Sequence, residues 1–280
     1  MIIKALYSPG SVPMEKTEDG FYAQNPFFVV ADGVSGAYLP DNGPRVIDRK
    51  TGGRMATDAV LAEFAGAKIN DSLENVIKKA NRYIRRKQSG IPEKNSELLS
   101  GTSFSALKIR HEEIDILQAG DCLAFALTKD GKIIATKNQL FLNDTEDRMI
   151  VKKLMIKHKG DRNVTWKEYL PMFSATRRQR INDLGDDAGF GLLNGQRKFE
   201  TCMQKIVIPR EKADRLLLVS DGFYYYPESH DEKSLGKRMF ELYEKGGLDE
   251  ILAYNRSKEE IEKSETHIDH GEATAIMIEL

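Results

Sequence analysis

The sequence predicts an α+β chain built in layers, a single domain over residues 1–280. Three observations lead there. The continuous apolar runs Phe27-Phe28-Val29-Val30-Ala31 and Leu216-Leu217-Leu218-Val219 read as buried strands. From Gly101 onward, apolar and polar residues alternate in the period of an antiparallel meander. Helical patterns fall in bunches between groups of strands instead of one per strand, which disfavours a doubly wound nucleotide-binding sheet.

In chain order, a strand over 2–7 leads into a Pro/Gly loop over 8–13. Lys16-Thr17-Glu18-Asp19-Gly20-Phe21-Tyr22 then places acids at the start of a short strand, which pairs with 27–31 through the turn Gln24-Asn25-Pro26. That pairing brings Glu18 and Asp19 towards Asp32. A polar loop over 34–53 carries Arg45, Arg49 and Lys50, with Arg54 just beyond, and a loop this long in a compact domain is more often functional than idle. Helices follow over 54–64 and 71–88, the second with Leu73, Val76, Ile77, Ala80 and Ile84 at helical spacing.

The meander comprises strands over 102–109 and 113–121, then 122–128 and 133–136 joined by Lys129-Asp130-Gly131-Lys132. Helices are expected over 146–157 and 165–180, and strands over 199–208 and 215–220. Two more helices, 235–245 and 248–263, precede a closing strand over 273–280. The cluster Arg177-Arg178-Gln179-Arg180 reads as a cationic helix C-terminus rather than a nucleic-acid patch.

Composition narrows the function classes. With 42 basic and 43 acidic residues the net charge is -1, so no global field attracts nucleic acid or an anionic membrane. The two cysteines, Cys122 and Cys202, sit in strand-like segments and read as buried hydrophobes of a reducing compartment. No apolar run approaches the roughly 18 residues of a membrane span, and Met1-Ile2-Ile3-Lys4 lacks a signal-peptide apolar region. A soluble, cytoplasmic chain is expected. The phosphate-loop pattern and the G-x-S-x-G elbow are both missing, which leaves NTPase and covalent serine chemistry without support.

Two buried runs end in the same way, at Asp32-Gly33 and at Asp221-Gly222. Asp-Gly is also a common hairpin signal, and at Asp130-Gly131 that reading holds. The other two are followed by loop or aromatic sequence rather than a return strand. If their strands are neighbours in one sheet, two carboxylates lie close enough to share cations.

In this order the motifs resemble those of the PP2C-type (PPM) metal-dependent protein serine/threonine phosphatases. Glu18-Asp19 is similar to the first acidic pair, and Asp32-Gly33-Val34-Ser35-Gly36 to D-G-x-x-G. Gly101-Thr102-Ser103 resembles G-T-T/S, and Gly120-Asp121-Cys122 resembles G-D-S with Cys for Ser. Gly189 to Gly195 is similar to a glycine-bearing bacterial segment. Ser220-Asp221-Gly222 matches S-D-G, and Glu272-Ala273-Thr274-Ala275 matches the closing strand.

The resemblance implies a four-layer αββα sandwich, two antiparallel sheets flanked by helices, with two Mn²⁺ or Mg²⁺ ions at one end. Asp32 would bridge the ions, the Gly33 carbonyl and the acids Glu18 and Asp19 would complete one side, and Asp221 would bind the other. Hard divalent cations select such oxygen donors and activate water for attack on a phosphomonoester. The implied partner is a phosphorylated protein, met by a monomer.

The chain departs from the family at three places. Met14 stands where a phosphate-binding Arg is usual, so Lys16 or a loop cation such as Arg45 is expected to substitute. Tyr225 stands where the S-D-G motif carries a further Asp, which weakens a third ion site. Gly271 stands where the last metal Asp belongs, with Glu272 one residue late and Asp269 two early. The longer reach of Glu favours Glu272. His267-x-x-His270 reads as a solvated loop rather than zinc ligands. These departures support an alternative, a catalytically impaired relative that acts as a phospho-dependent binding or regulatory module.

Overall fold

The computed structural model describes residues 1–36, 45–185, 187–225, 231–266 and 271–280, the side chains of 261–266 excepted. In chain order, β1 (Ile2–Ser8), β2 (Gly20–Gln24) and β3 (Phe27–Val34) are followed by a small ribbon, β4 (Val46–Ile47) and β5 (Lys50–Thr51). Helices α1 (Gly52–Ala65) and α2 (Leu73–Lys87) come next. The meander is β6 (Gly101–Ile109), β7 (Glu113–Ala119), β8 (Leu123–Thr128) and β9 (Ile133–Ala135). Then follow α3 (Phe141–Lys157), α4 (Arg162–Arg180), β10 (Gln204–Pro209), β11 (Ala213–Val219), α5 (Glu232–Thr266) and β12 (Ala273–Glu279).

Two five-stranded antiparallel sheets result, ordered β1-β12-β11-β8-β9 and β10-β7-β6-β3-β2. They face one another across an apolar layer that includes Phe28, Val30, Leu107, Leu216, Leu218 and Ile276. The opposite face of β3 sends Val29 and Ala31 against Val60 and Ile77 of α1 and α2. The opposite face of β11 sends Leu217 and Val219 against Phe240 and Ile251 of α5. Helix, sheet, sheet and helix therefore stack as the expected sandwich. Successive strand residues point to opposite faces, so a strand covered on both sides must be apolar at every position. That is why β3 and β11 read as unbroken apolar runs.

Helix boundaries follow local capping. The Thr51 hydroxyl accepts from the Arg54 amide at 3.2 Å and the Ser72 hydroxyl from the Asn75 amide at 3.2 Å, which fixes the starts of α1 and α2. α3 begins at Phe141, five residues ahead of the expected start, because Phe141 and Leu140 pack on neighbouring clusters. α5 is kinked at Gly246 and Gly247, the latter at φ 74, which matches the two helices expected there.

Three expectations need correction. β3 and β11 are not neighbours in one sheet but lie in the two opposed sheets. The strand expected over 199–208 starts only at Gln204, because Arg197–Thr201 form a tight helical turn, and Cys202 follows that turn rather than lying in a strand. The loop over 34–53 contains the ribbon β4-β5, although residues 37–44 lie outside the described set. No helix among the described residues is long and apolar enough to cross a membrane.

The ends of β11 and β12 are locked together at Gly222. A Cβ there would stand 1.8 Å from the Glu272 carbonyl oxygen. Gly222→Ala is therefore expected to cost about 2 kcal/mol or more, read as a lowered melting temperature with unchanged helix content by circular dichroism.

Candidate metal centre

The acids gather at one end of the sandwich. Asp32 lies within β3, where it pairs with Ser103 of β6 while Gly33 pairs with Thr102. Asp221 leaves β11 of the opposite sheet in a short helical turn, Asp221–Phe223. Their carboxyls come close enough to act on each other, and with burial both are raised above the usual carboxylate range. Carboxylates 189 residues apart in sequence (221 minus 32) thus meet across the two sheets. Asp221 is exposed in surface area while protein crowds its carboxyl, as expected at the floor of an open depression.

Asp19 precedes β2 and is 3% exposed. The Thr274 hydroxyl donates to its carboxylate at 2.8 Å and the Ser220 hydroxyl also bonds it. Burial first, then the charges of Glu272 and Asp221, push its pKa up to about 7. Asp121, at the end of β7, is likewise pushed up to about 7 by burial and by Asp221, and one carboxylate oxygen is buried without a hydrogen-bond partner. Asp32 is driven well above the usual carboxylate range by burial and by Asp19, Asp221 and Asp121. Burial beside the same four acids raises the Cys122 thiol, which removes it as a nucleophile.

Glu18 precedes Asp19 and lies between Gly33, Ser35 and Gly53. The Ser35 hydroxyl donates to its carboxylate, Thr51 also bonds it, and burial raises its pKa. Gly33 and Gly53 close on it, since a Cβ at Gly33 would meet the Gly53 backbone at 2.6 Å and one at Gly53 the Glu18 carboxylate at 2.5 Å. The Asp32 carbonyl accepts from the Thr102 hydroxyl at 2.8 Å. Gly101-Thr102-Ser103 thus serves the site twice, because Ser103 also bonds Asp121.

Glu272 turns to the backbone of the acidic pair. Its carboxylate accepts from the amides of Glu18 at 2.6 Å and Asp19 at 3.1 Å, and from the Tyr7 hydroxyl at 2.9 Å. In this arrangement it orders the two residues that precede β2. Glu272→Ala would strand two amides, and we expect it to weaken Mn²⁺ affinity by about 10- to 100-fold, the effect of losing an outer-shell support, measured by calorimetric titration. Glu272→Gln, which keeps an acceptor, should lose less.

Of the expected phosphate-binding cations, Lys16 is exposed in the turn Met14–Lys16, and Arg45 is half-buried beside the ribbon. Met14 itself is 68% exposed. Arg54, in the first turn of α1, is tied to the acids, donating to the Asp19 carbonyl at 2.9 Å while pairing with Asp58 at 2.8 Å. Asp269, His267 and His270 lie outside the described residues. The arginines ending α4 are structural, with Arg177 over Phe173 at 5.2 Å, Arg178 paired with Glu97, and Arg180 with Glu146 at 2.6 Å.

Asp121, Ser220 and Thr274 join the site beyond the residues expected from sequence. Their signal was adjacency to motifs already recognised, G-D-C, S-D-G and E-A-T. Among the described residues, no group of three or more His, Cys, Asp or Glu side chains is arranged to hold an ion by itself. Paired carboxylates, an orphaned buried oxygen and the Gly33 carbonyl still suit a hard cation, which often keeps several waters and takes only one or two carboxylates.

No family model and no curated protein matches the chain. Solved structures do. The catalytic domain of the serine/threonine phosphatase PstP, in complex with two manganese ions, is 17% identical with a TM-score of 0.57, over 99% of this chain and 96% of that one. Stp1 from Staphylococcus aureus is 15% identical at a TM-score of 0.54, over 99% and 94%. PppA from Pseudomonas aeruginosa, a regulatory component of T6SS, is 14% identical at 0.55, over 100% and 97%.

Proposed function

We propose that this chain, which has the fold of the PP2C-type serine/threonine phosphatases, is a cytoplasmic, monomeric metal-dependent enzyme that hydrolyses phosphoserine and phosphothreonine on a protein partner. The observation that carries this reading is the convergence of Asp32 and Asp221 from opposed sheets, with Asp19 and Asp121 beside them. Burial and the charge of Asp221 raise the pKa values of Asp32, Asp19 and Asp121, which marks a cluster short of positive charge. Two divalent ions, Mn²⁺ or Mg²⁺, would supply that charge, activate water near neutral pH and neutralise the phosphoryl oxygens.

The residues have separable tasks. Asp32 and Asp221 would hold the ions between the sheets, with Asp19, Asp121 and the Gly33 carbonyl as further donors. Glu18, held by Ser35 and Thr51, would act through water. Ser220 and Thr274 aim Asp19, and Glu272 holds the backbone beneath it. Lys16 and Arg45 remain the proposed phosphate-binding cations, with Arg54 already anchored beside Asp19. No side chain is asked to form a covalent phosphoenzyme, in keeping with the raised pKa of Cys122.

Mn²⁺-dependent hydrolysis of p-nitrophenyl phosphate tests this reading, with ion stoichiometry taken from calorimetry. Saturable turnover with two bound ions is the expected result. Ion binding without turnover would favour the phospho-dependent binding module, to which Met14, Tyr225 and Gly271 point.

A further inference from the structure

Beside the acid cluster, α3 and α4 cover a cavity of about 180 Å³. Val34 and Ser103 form its floor, one residue beyond Gly33 and in contact with Asp121 respectively, so it adjoins the proposed reaction centre. Its walls are apolar, built by Leu140, Phe173, Phe190 and Leu192. An apolar cavity of about 150 Å³ accommodates a benzene ring, so this one has room for a single side chain and not for a helix or a cofactor.

One edge of the cavity is acidic. Asp144 and Asp147 both reach it from α3 and are half-buried, and Arg177 reaches it from α4 over the Phe173 ring. Asp147 bonds the Tyr169 hydroxyl and faces Arg177 and Arg180, so its charge is answered within the fold. Asp144 is placed differently. Burial, then the charges of Asp121, Asp221 and Asp147, raise its pKa against the opposing charge of Arg148 one turn further along α3. Its carboxylate stands where the apolar walls of the cavity end. Lysine and arginine combine a long apolar stem with a charged head, which matches apolar walls ending in a carboxylate.

We propose that this cavity is a side-chain pocket selecting phosphoprotein substrates with a lysine or arginine close in sequence to the phosphorylated residue. The stem would lie along Leu140, Phe190 and Leu192, and the head would meet Asp144. The proposal rests on the phosphatase reading, which p-nitrophenyl phosphate, too small to span both places, tests separately.

The experiment is kcat/KM over a phosphopeptide series with lysine moved through about three residues on either side of the phosphoserine, against the same peptides carrying norleucine. At one position lysine should be favoured by about tenfold or more, the size of one charge-assisted hydrogen bond. In Asp144→Asn that advantage should shrink to about twofold or less. Thr176→Phe, which fills the cavity from α4, should remove the preference while circular dichroism stays unchanged. A flat series in an enzyme that turns over p-nitrophenyl phosphate overturns the pocket and leaves the phosphatase reading intact. A lysine preference that survives Asp144→Asn, or loss of one bound Mn²⁺ in that variant, overturns it as well. If p-nitrophenyl phosphate is not hydrolysed, phosphopeptide affinity across the same series decides the pocket.

Discussion

Asp32→Asn is expected to lower Mn²⁺-dependent hydrolysis of p-nitrophenyl phosphate by about a thousandfold or more, equivalent to about 4 kcal/mol of lost transition-state stabilisation. The size follows from position. Asp32 sits inside β3, paired with Ser103 of β6 and facing Asp19 and Asp121 of its own sheet and Asp221 of the opposite one. An amide keeps the shape and removes the charge, which separates loss of cation binding from loss of packing. Asp221→Asn should behave similarly with a smaller stability change, because Asp221 stands on the open side of the cluster. Calorimetry on both variants checks the cause, since weakened ion binding must accompany the lost rate. Turnover unaffected by either change would remove the proposed site altogether.

The metal-free protein should lose stability as the pH rises from about 4 to about 7, and Mn²⁺ should restore it. Asp19 and Asp121 have pKa values near 7 in the folded chain, and Asp32, Asp221, Glu18 and Asp144 are raised too. An unfolded aspartate titrates near about 3.9. Between those limits the folded state binds more protons than the unfolded one, so unfolding free energy falls with increasing pH. Below about 4 both states are protonated and the penalty is absent. Carboxylates whose pKa is lowered, such as Asp130 at about 2 and the partially buried Glu74, act with the opposite sign at lower pH. The window from about 4 to about 7 therefore belongs to the acid cluster. A cation that binds only the folded, ionised cluster adds about 2.7 kcal/mol at a hundredfold excess over its Kd, and should raise the melting temperature by about 5 °C or more. Melting curves at several pH values, with Mn²⁺ and with EDTA, measure both effects. A metal-free melting temperature that climbs through that window would contradict the cluster as described.

Much of the architecture was legible because it is written in local periods. Alternation exposed the meander of β6 to β9, helical spacing exposed α2, and Gly246-Gly247 marked the kink of α5. The apolar runs ending in Asp32-Gly33 and Asp221-Gly222 announced two acids at strand ends. The misplacements were also local. The tight turn Arg197–Thr201 has no apolar period of its own, and α3 extends past its expected start because Phe141 finds tertiary contacts.

By itself the amino-acid sequence determined most of the strand and helix segments and the apolar runs that end at Asp32 and Asp221. Each of these depends on neighbours a few positions apart. Only the tertiary structure decided that β3 and β11 belong to opposed sheets, that Asp121 and Asp144 stand beside the cluster, and that Glu272 grips the amides of Glu18 and Asp19. Glu272 and Glu18 are 254 positions apart, and no periodicity of 2 or 3.6 residues carries information over that distance. Their meeting is set by sheet order and by the packing of the layer between the sheets.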